Sequence, residues 1–285
     1  MSTLYFLFFR WFPKRLFSRL MGIFADTPWP RWLLGAGIRL YAGWFRIDMG
    51  DFEAPSGGFR TFNAFFTRGL KPGARPIDSS GSPLVSPVDG TVLSLHRVSG
   101  GKLIQAKGKA YSLSELLRGV EGWEKFDGGQ ALTLYLSPRD YHRIHSPCRG
   151  TIRRFAYVPG DLWTVGALGV QGVPRLFSRN ERVTALLEAP LGEVALVAVG
   201  ATVVGGIRLV YHPLVTNRSG AAAFTHTLNP VFEVEAGDEV GRFQVGSTVI
   251  LLTRPGETEM SALRAGDPVR MGQTIGYFTG TAGTD

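Results

Sequence analysis

Residues 236–252 read Ala-Gly-Asp-Glu-Val-Gly-Arg-Phe-Gln-Val-Gly-Ser-Thr-Val-Ile-Leu-Leu, and this stretch decides the fold class. A Gly-Asp turn is followed by the β-branched and aliphatic run 248–252, which is typical of a buried strand. Related turns occur at 86–92 and 265–272. Turns of this kind between short strands indicate a compact, strand-rich barrel or sandwich rather than a helical bundle.

Short apolar runs of the same texture continue from residue 83 to the end of the chain. The predicted strands are 90–95, 131–136, 194–199, 201–207, 231–235 and 248–252. Helical spacing predicts helices over 4–24, 31–46, 59–68 and 112–118, the last with Ser112 as its N-cap. We therefore predict an α+β fold that is mostly β. A catalytic core over 49–285 follows an N-terminal amphipathic helical segment, 1–48.

Composition excludes several classes of protein. The chain has 285 residues and a net charge of +8, and Cys148 is its one cysteine, which excludes an internal disulfide and a cysteine-rich zinc site. No uncharged apolar run approaches the roughly 18 residues that a membrane-spanning helix needs. The sequence has no GxGxxG, Walker A, HExxH or GxSxG motif, which argues against nucleotide-binding enzymes, zinc proteases and standard α/β-hydrolases.

The N-terminal fifty residues are both basic and aromatic. They hold seven basic residues against two acidic ones, and 13 of the chain's 33 aromatic residues. Lysine and arginine beside tryptophan and phenylalanine favour a segment at the headgroup level of an anionic membrane. The alternatives are a helical segment that packs on the core and, with less support, a surface for single-stranded nucleic acid.

Three polar residues stand in apolar or glycine-rich surroundings. Asp89 lies in Ser-Pro-Val-Asp-Gly-Thr, where an aspartate before glycine is usually a turn residue. His142 and His145 lie in Tyr-His-Arg-Ile-His-Ser-Pro at 141–147. The two histidines could be structural, could act as a general acid and base, or could share a metal ion, although no third ligand is evident.

Ser247 has two interpretations. A Gly-Ser-Thr triplet before an apolar run is usually the start of a strand. Glycine also tolerates unusual backbone angles, so the Ser247 hydroxyl could reach the carbonyl carbon of Gly246. Attack there would convert the peptide bond into an ester, a step that needs a base for the hydroxyl and a hydrogen-bond donor for the oxyanion.

Taken together, these motifs resemble the phosphatidylserine decarboxylase family. The resemblance runs in order along nearly the whole chain. Its strongest parts are 86–91, 141–147 and 241–248 (Gly-Arg-Phe-Gln-Val-Gly-Ser-Thr), and further support comes from 65–68, 107–108, 111–113, 157–162 and 180–182. The chain departs from the family pattern at Val245, where leucine is usual, and at Thr164, where serine is usual.

The resemblance implies a pyruvoyl enzyme made by self-cleavage between Gly246 and Ser247. The products would be a β chain, 1–246, and an α chain, 247–285. By matching positions, Asp89, His145 and Ser247 form a Ser-His-Asp set. In it His145 takes the Ser247 proton and Asp89 fixes the imidazole tautomer. Ser247 becomes the covalent pyruvoyl group, and no metal is required.

The implied reaction is decarboxylation of phosphatidylserine to phosphatidylethanolamine through a Schiff base to the pyruvoyl carbonyl. His142 is the first candidate for the proton donor and His145 the second. We expect a peripheral protein on the cytoplasmic face of the cell membrane, a homodimer of the cleaved pair, and no nucleic-acid partner. Two alternatives remain: a Ser-His-Asp lipid hydrolase, and a non-catalytic membrane-binding module on a lipoyl-like β core. Both alternatives predict an uncleaved chain.

Overall fold

The computed structural model describes residues 12–106, 109–202, 206–218, 220–244 and 247–280. The helices are α1 (Lys14–Asp26), α2 (Arg31–Phe45), α3 (Phe62–Phe66), α4 (Leu113–Leu116), α5 (Ala167–Gly172) and α6 (Leu176–Arg179), with a 3₁₀ turn at Trp123–Phe126. The strands are β1 (Pro83–Val85), β2 (Gly90–Arg97), β3 (Lys102–Ala106), β4 (Lys109–Ser112), β5 (Gln130–Leu136), β6 (Arg143–His145), β7 (Gly150–Val158), β8 (Arg182–Ala189), β9 (Gly192–Gly200), β10 (Ile207–Leu209), β11 (Phe224–Val234), β12 (Glu239–Phe243), β13 (Ser247–Thr253), β14 (Thr258–Met260), β15 (Pro268–Val269) and β16 (Thr274–Phe278).

One eight-stranded antiparallel sheet organises the chain, in the order β11-β7-β8-β9-β13-β5-β2-β15. Three small sheets accompany it, in the orders β1-β16-β14, β10-β12-β6 and β3-β4. Within the described ranges the large sheet ends at β11 and β15 and does not close into a barrel. The prediction of a mostly β α+β fold with N-terminal helices is confirmed.

The large sheet has a hydrophobic layer on each face. Along β13, Val249 and Leu251 point into one layer, where residues of the small sheets such as Ile144 and Ile275 pack. Ile250 and Leu252 point into the other layer, which includes Leu103, Trp163 and Phe177 from the β3–β4 hairpin, the 161–165 loop and α6. Every residue of β13 is therefore buried, as expected for a central strand covered on both faces.

Two of the three related turns have the same construction. Asp238 accepts a hydrogen bond from the Glu235 backbone N–H at 2.8 Å, and Asp267 accepts one from that of Arg264 at 2.7 Å. The preceding glycine has a positive φ in both turns, which glycine adopts without steric cost. Asp89, in the third related segment, makes different contacts, which are described with the site.

Several predicted boundaries need correction. The strand predicted over 201–207 is not formed at 201–202, because β9 ends at Gly200 and the Thr202 hydroxyl donates to the Leu162 carbonyl. Residues 203–205 lie outside the described residues, and Ile207 begins β10. The helix predicted over 59–68 is short because Thr61 caps it at the N-terminus, accepting from the Ala64 N–H at 3.0 Å. Ser112 is the N-cap of α4, as predicted. Most of the first half of the helix predicted over 4–24 lies outside the described residues.

Candidate functional site

Ser247 is the first residue of β13, in the middle of the main sheet. Its backbone pairs with Leu136 of β5 on one side and with Gly200 of β9 on the other. The side chain is fully buried, and its Oγ has no hydrogen-bond partner among the described residues. A buried hydroxyl without a hydrogen bond lowers the stability of the fold by on the order of 1–3 kcal/mol, which makes Ser247 a candidate for a functional role. Val245 and Gly246, on the other side of the predicted cleavage site, lie outside the described residues.

An apolar cavity of about 890 Å³ has Ser247 in its wall. Helices α1 and α2 form one side of this cavity, with Phe24, Leu33 and Trp44 among the lining side chains. On the opposite side, the residues with a polar group are Tyr135, Thr164, Thr202 and Ser247. A volume of this size is typical of ligand sites, and the lining suits a long apolar ligand with one polar end near Ser247.

His142 is fully buried and carries an unpartnered ring nitrogen. Its Nδ1 lies 2.8 Å from the Asp140 carbonyl oxygen, which can only accept, so Nδ1 carries the proton. Its Nε2 is buried and has no hydrogen-bond partner in the described part of the chain. Burial lowers the pKa of His142 to about 3, and the ring lies against Phe66 with centroids 4.0 Å apart. The imidazole is therefore neutral at pH 7, with a free lone pair on Nε2.

The chain brings His142 beside the segment that leads to Ser247. The Phe243 N–H donates to the His142 carbonyl oxygen at 2.9 Å, and four residues later Ser247 pairs with Leu136. His142 and Leu136 therefore lie beside Phe243 and Ser247, respectively. No hydrogen bond joins the His142 ring to Ser247 among the described residues, so the histidine borders the predicted cleavage site without contacting its hydroxyl in this way.

His145 has both ring nitrogens engaged. Nδ1 donates to the Gly237 carbonyl oxygen at 2.6 Å, and Nε2 accepts from the Tyr141 hydroxyl at 2.9 Å. Burial is the main cause that lowers the pKa of His145, so this ring is also held in its neutral form. Sequence reasoning included Tyr141 in the motif 141–147 but gave it no role. Tyr141 and His145 are four residues apart, but Pro138 and Pro147 flank this short segment, so the sequence predicts no helix that would bring the two side chains together.

Asp89 forms an ion pair rather than a hydrogen bond to His145. Its carboxylate accepts from Arg75 Nε at 3.0 Å and Nη2 at 2.6 Å, and from the Met271 N–H at 2.8 Å. Arg75 is itself buried and also pairs with Asp51 at 2.7 Å. The structure brings Asp89 close to His145, whose backbone N–H donates to the Pro87 carbonyl, but the described residues contain no Asp89–His145–Ser247 hydrogen-bond chain. The roles that the resemblance implies for these residues stay predictions.

Asn180 is a functional candidate that sequence reasoning missed. Its buried amide accepts from the Trp163 N–H at 3.0 Å and donates to the Trp163 and Gly200 carbonyls at 2.8 and 2.9 Å. Gly200 is the residue opposite Ser247 in the sheet, so Asn180 fixes the strand beside the candidate nucleophile. The available signal was the polar triplet Asn-Glu-Arg at 180–182, all three residues of which are buried.

The basic residues of α1 are engaged with the core. Lys14 lies over the Trp163 ring at 3.8 Å, Arg15 donates to the Gly160 carbonyl at 2.6 Å, and Arg19 donates to the Asn217 carbonyl at 3.1 Å. The exposed surface of α1 and α2 is rich in large apolar side chains and also carries Arg31 and Arg39. The exposed large apolar residues there are Leu16, Leu20, Ile23, Phe24, Trp32, Leu33, Leu40 and Trp44. Core packing and an exposed apolar face, weighed as alternatives from the sequence, thus coexist in the same helices.

The described part of the chain shows neither a metal-binding cluster nor a membrane-spanning helix. Among the residues that the structure describes, no cluster of three or more His, Cys, Asp or Glu side chains is placed to hold a metal ion. In the same ranges, no helix combines the length and the apolar character that crossing a bilayer requires.

Comparisons with known proteins agree on one family. The family model described as phosphatidylserine decarboxylase matches residues 62–277. The phosphatidylserine decarboxylase proenzyme of Pseudomonas fluorescens is 41% identical over 270 residues, covering 93% of each chain. The proenzymes of Brevibacillus brevis and Myxococcus xanthus are 43% and 42% identical, over 266 and 268 residues. These alignments cover 92% and 94% of this chain and 94% and 95% of the relatives.

Proposed function

Because the chain belongs to the phosphatidylserine decarboxylase family, we propose that it decarboxylates phosphatidylserine to phosphatidylethanolamine. One observation carries the proposal. The Ser247 hydroxyl, which is buried and has no hydrogen-bond partner among the described residues, lies in the wall of an apolar cavity of about 890 Å³. A phospholipid has apolar chains that suit such a lining, and its polar headgroup would lie at the end where Ser247, Tyr135, Thr164 and Thr202 are found.

The proposed maturation is self-cleavage between Gly246 and Ser247 into chains 1–246 and 247–285. Ser247 Oγ would attack the Gly246 carbonyl carbon while His145 Nε2, released from the Tyr141 hydroxyl, takes the hydroxyl proton. The Gly246–Ser247 C–N bond would then break as the Ser247 nitrogen receives that proton, which leaves an ester between the two residues. Two observations support this assignment. The Ser247 hydroxyl is free of competing hydrogen bonds in the described residues, and the pKa of His145 is lowered, which keeps the base neutral.

The residues around Ser247 fit a pyruvoyl group derived from that serine. Such a group would lie in the cavity wall, without the hydroxyl that now lacks a partner. Bound there, the pyruvoyl carbonyl would supply an acceptor for the electrons released as carbon dioxide leaves. His142 would first take up, at the free lone pair of Nε2, a proton that the substrate ammonium group releases, and would then deliver it to the substrate carbon, with His145 as the second candidate for this role. The apolar lining, together with the acyl chains of a bound lipid, would exclude water from the reacting atoms.

We further propose that segment 1–48 associates with the membrane and that 49–285 forms the catalytic core. The support is the exposed apolar face of α1 and α2, which also borders the cavity, so that one surface would bind the bilayer and admit the lipid. We expect this contact at the cytoplasmic face of the cell membrane, and a homodimer of the cleaved pair.

The first test is the intact mass of the purified protein under denaturing conditions, with Ser247→Ala beside it. We expect the wild-type chain to give two fragments that divide between 246 and 247, the smaller with a blocked N-terminus, and the variant to stay whole. Ser94→Ala is the matched control, since the Ser94 hydroxyl also lacks a partner but lies on β2. Of the three proteins, only those that are cleaved should convert phosphatidylserine in vesicles to phosphatidylethanolamine.

A single full-length mass for all three proteins would contradict the proposal. Labelling of an intact chain at Ser247 by a fluorophosphonate would then favour the lipid hydrolase. Vesicle binding without labelling, unchanged in Ser247→Ala, would favour the non-catalytic membrane-binding module.

A further inference from the structure

We propose that Arg68 is a specificity-determining residue of the apolar cavity: its buried positive charge favours a lipid whose headgroup carries a net negative charge. This inference deepens the function proposed above and rests on it, because it takes the cavity as the lipid site. At neutral pH phosphatidylserine carries a net negative charge, whereas phosphatidylethanolamine carries no net charge. The same arginine would therefore favour the substrate over the product.

Arg68 is a deeply buried cation with an incomplete set of partners. It is 2% exposed and follows α3 in the chain. Its Nη2 donates to the Arg139 carbonyl at 3.1 Å and its Nη1 to the Phe65 carbonyl at 3.4 Å, whereas its Nε has no hydrogen-bond partner among the described residues. The guanidinium lies over the Phe52 ring, 4.1 Å from the centroid, which compensates part of the charge. Burial lowers the pKa of Arg68 to about 10, so the group stays protonated at pH 7.

The two carboxylates that act on Arg68 are engaged with other partners. They belong to Asp140 and Asp89. Asp140 accepts from the Ser137 N–H and from its hydroxyl, both at 2.7 Å, and Asp89 forms the ion pair described with the site. In the part of the chain that the structure describes, neither forms an ion pair with Arg68. Burying a cation without a counterion is unfavourable, which makes its charge a candidate for a functional role.

Arg68 lies one layer of side chains behind the cavity wall. Its ring neighbour Phe65 packs edge-on against Tyr41, with centroids 6.2 Å apart, and Tyr41 lines the cavity. Burial raises the pKa of Tyr41 to about 12, so this hydroxyl is neutral at pH 7 and does not balance the arginine. In addition, the carbonyl that accepts from Arg68 belongs to Arg139, which follows the cavity-lining residue Pro138.

This position is at the end of the cavity where Ser247 lies. Arg139 belongs to the same segment as Leu136, which lines the cavity and pairs with Ser247 in the sheet. His142 follows in that segment, and the charge of Arg68 adds to the burial that lowers the pKa of His142. Because the headgroup is proposed to lie at this end, the arginine would act on the headgroup rather than on the acyl chains.

The intervening layer transmits the charge because it is apolar. Aromatic rings separate Arg68 from the cavity, so its field is screened less than that of a surface arginine. At an effective dielectric constant of about 20, a unit charge acting across one layer of side chains changes the affinity for a singly charged ligand roughly tenfold. The charge acts on the bound substrate and on the transition state alike, so it should lower KM more than it changes kcat.

The test is binding of short-chain lipids, dispersed as monomers, to the Ser247→Ala chain. The cavity described above is that of the uncleaved chain, which this variant retains. Phosphatidylserine should bind roughly tenfold more tightly than phosphatidylethanolamine, at low and at high salt concentration. Phosphatidylglycerol should show the same advantage, because it is anionic but lacks the serine group. It thus separates selection by charge from selection by headgroup shape.

Three variants in the same background identify the source of the preference. Arg68→Gln should reduce the preference to about twofold or less, and Arg68→Lys, which keeps the charge, should retain most of it. Arg39→Gln is the matched control, because it removes the same charge from an exposed position on α2, and it should leave the preference unchanged at high salt concentration. In the chain with Ser247 intact, Arg68→Gln should raise KM for phosphatidylserine roughly tenfold and leave kcat nearly unchanged.

Two results would overturn the inference. One is phosphatidylglycerol that binds no more tightly than phosphatidylethanolamine to the chain with Arg68 intact, a result that does not depend on how well any Arg68 variant folds. The other is a folded Arg68→Gln chain that keeps the full preference for anionic lipids. Absence of cleavage and of decarboxylation in the wild type would instead refute the proposed function, and the binding measurements would be unaffected because they use uncleaved chains.

Discussion

Replacing Trp44 by serine should weaken binding to phospholipid vesicles. Trp44 is 80% exposed on α2, in the apolar face that also borders the cavity. A tryptophan contributes about 200 Å² of surface, so its exposed part is about 160 Å². At about 25 cal/mol per Å², full insertion would contribute about 4 kcal/mol, and insertion of half the ring about 2 kcal/mol. We therefore expect a roughly thirtyfold loss of partitioning.

The assay is co-sedimentation with vesicles of phosphatidylserine and phosphatidylcholine, in the Ser247→Ala background so that the lipid composition stays constant. Tyr277→Ser is the control, because Tyr277 is an aromatic residue, 44% exposed, on β16 instead of α2. Raising the salt concentration should weaken binding of all variants alike, because Arg31, Arg39 and Arg46 are exposed at α2, whereas Lys14, Arg15 and Arg19 are engaged with the core. Equal partitioning of the Trp44 and Tyr277 variants would refute the membrane assignment of α2.

Three other outcomes are expected. Gly37→Phe should lower kcat/KM more for long-chain than for short-chain phosphatidylserine, because Gly37 lines the cavity and a phenyl ring there would fill space that long acyl chains need; no atom lies within 4 Å of a Cβ built at this position. Equal losses of kcat/KM for the two substrates would contradict this prediction. In Ser247→Ala chains, the free energy of unfolding should fall by up to about 1.4 kcal/mol per pH unit as the pH is lowered from 6.5 toward 3, because His142 binds a proton in the unfolded chain but not in the folded one. Urea denaturation measures this slope, and the double variant Ser247→Ala/His142→Gln should lack the contribution of His142. Asn180→Ala should destabilise the Ser247→Ala chain by about 3 kcal/mol, measured by urea denaturation, because it removes three hydrogen bonds to buried backbone groups. A loss below about 1 kcal/mol would exclude Asn180 as a fixed contact of Gly200.

The parts of the fold that the sequence predicts correctly depend on neighbours in the chain. The run 248–252 is a buried strand, and Ser112 caps a helix, because alternation, branching and capping are local properties. The end of β9 at Gly200 depends instead on the Thr202 contact with Leu162, forty residues away. Local propensity carries no record of such a partner, so the sequence predicts a separate strand that begins at Ala201, where the structure has none.

The candidate site divides in the same way. The sequence, through motif resemblance, singles out Asp89, His142, His145 and Ser247. It does not reveal that Asp89 pairs with Arg75, which lies outside the motifs that carry the resemblance. The basic residues of α1 show the same limit, because counting charges cannot tell whether a guanidinium faces a bilayer or, like Arg15, a carbonyl of its own chain.

The position of β13 between β5 and β9 would impose an order of events on the proposed maturation. Both neighbours belong to the segment before Ser247, as do β1 and β2, which pair with β16 and β15. A cut at this point would divide the covalent chain without dividing the sheet, so the two products should stay interlocked and unfold together. Ser247 reaches its neighbours only after strands distant in sequence have assembled. Only a chain that has completed its central sheet would then be cleaved and form the pyruvoyl cofactor, so an incompletely folded chain would stay inactive.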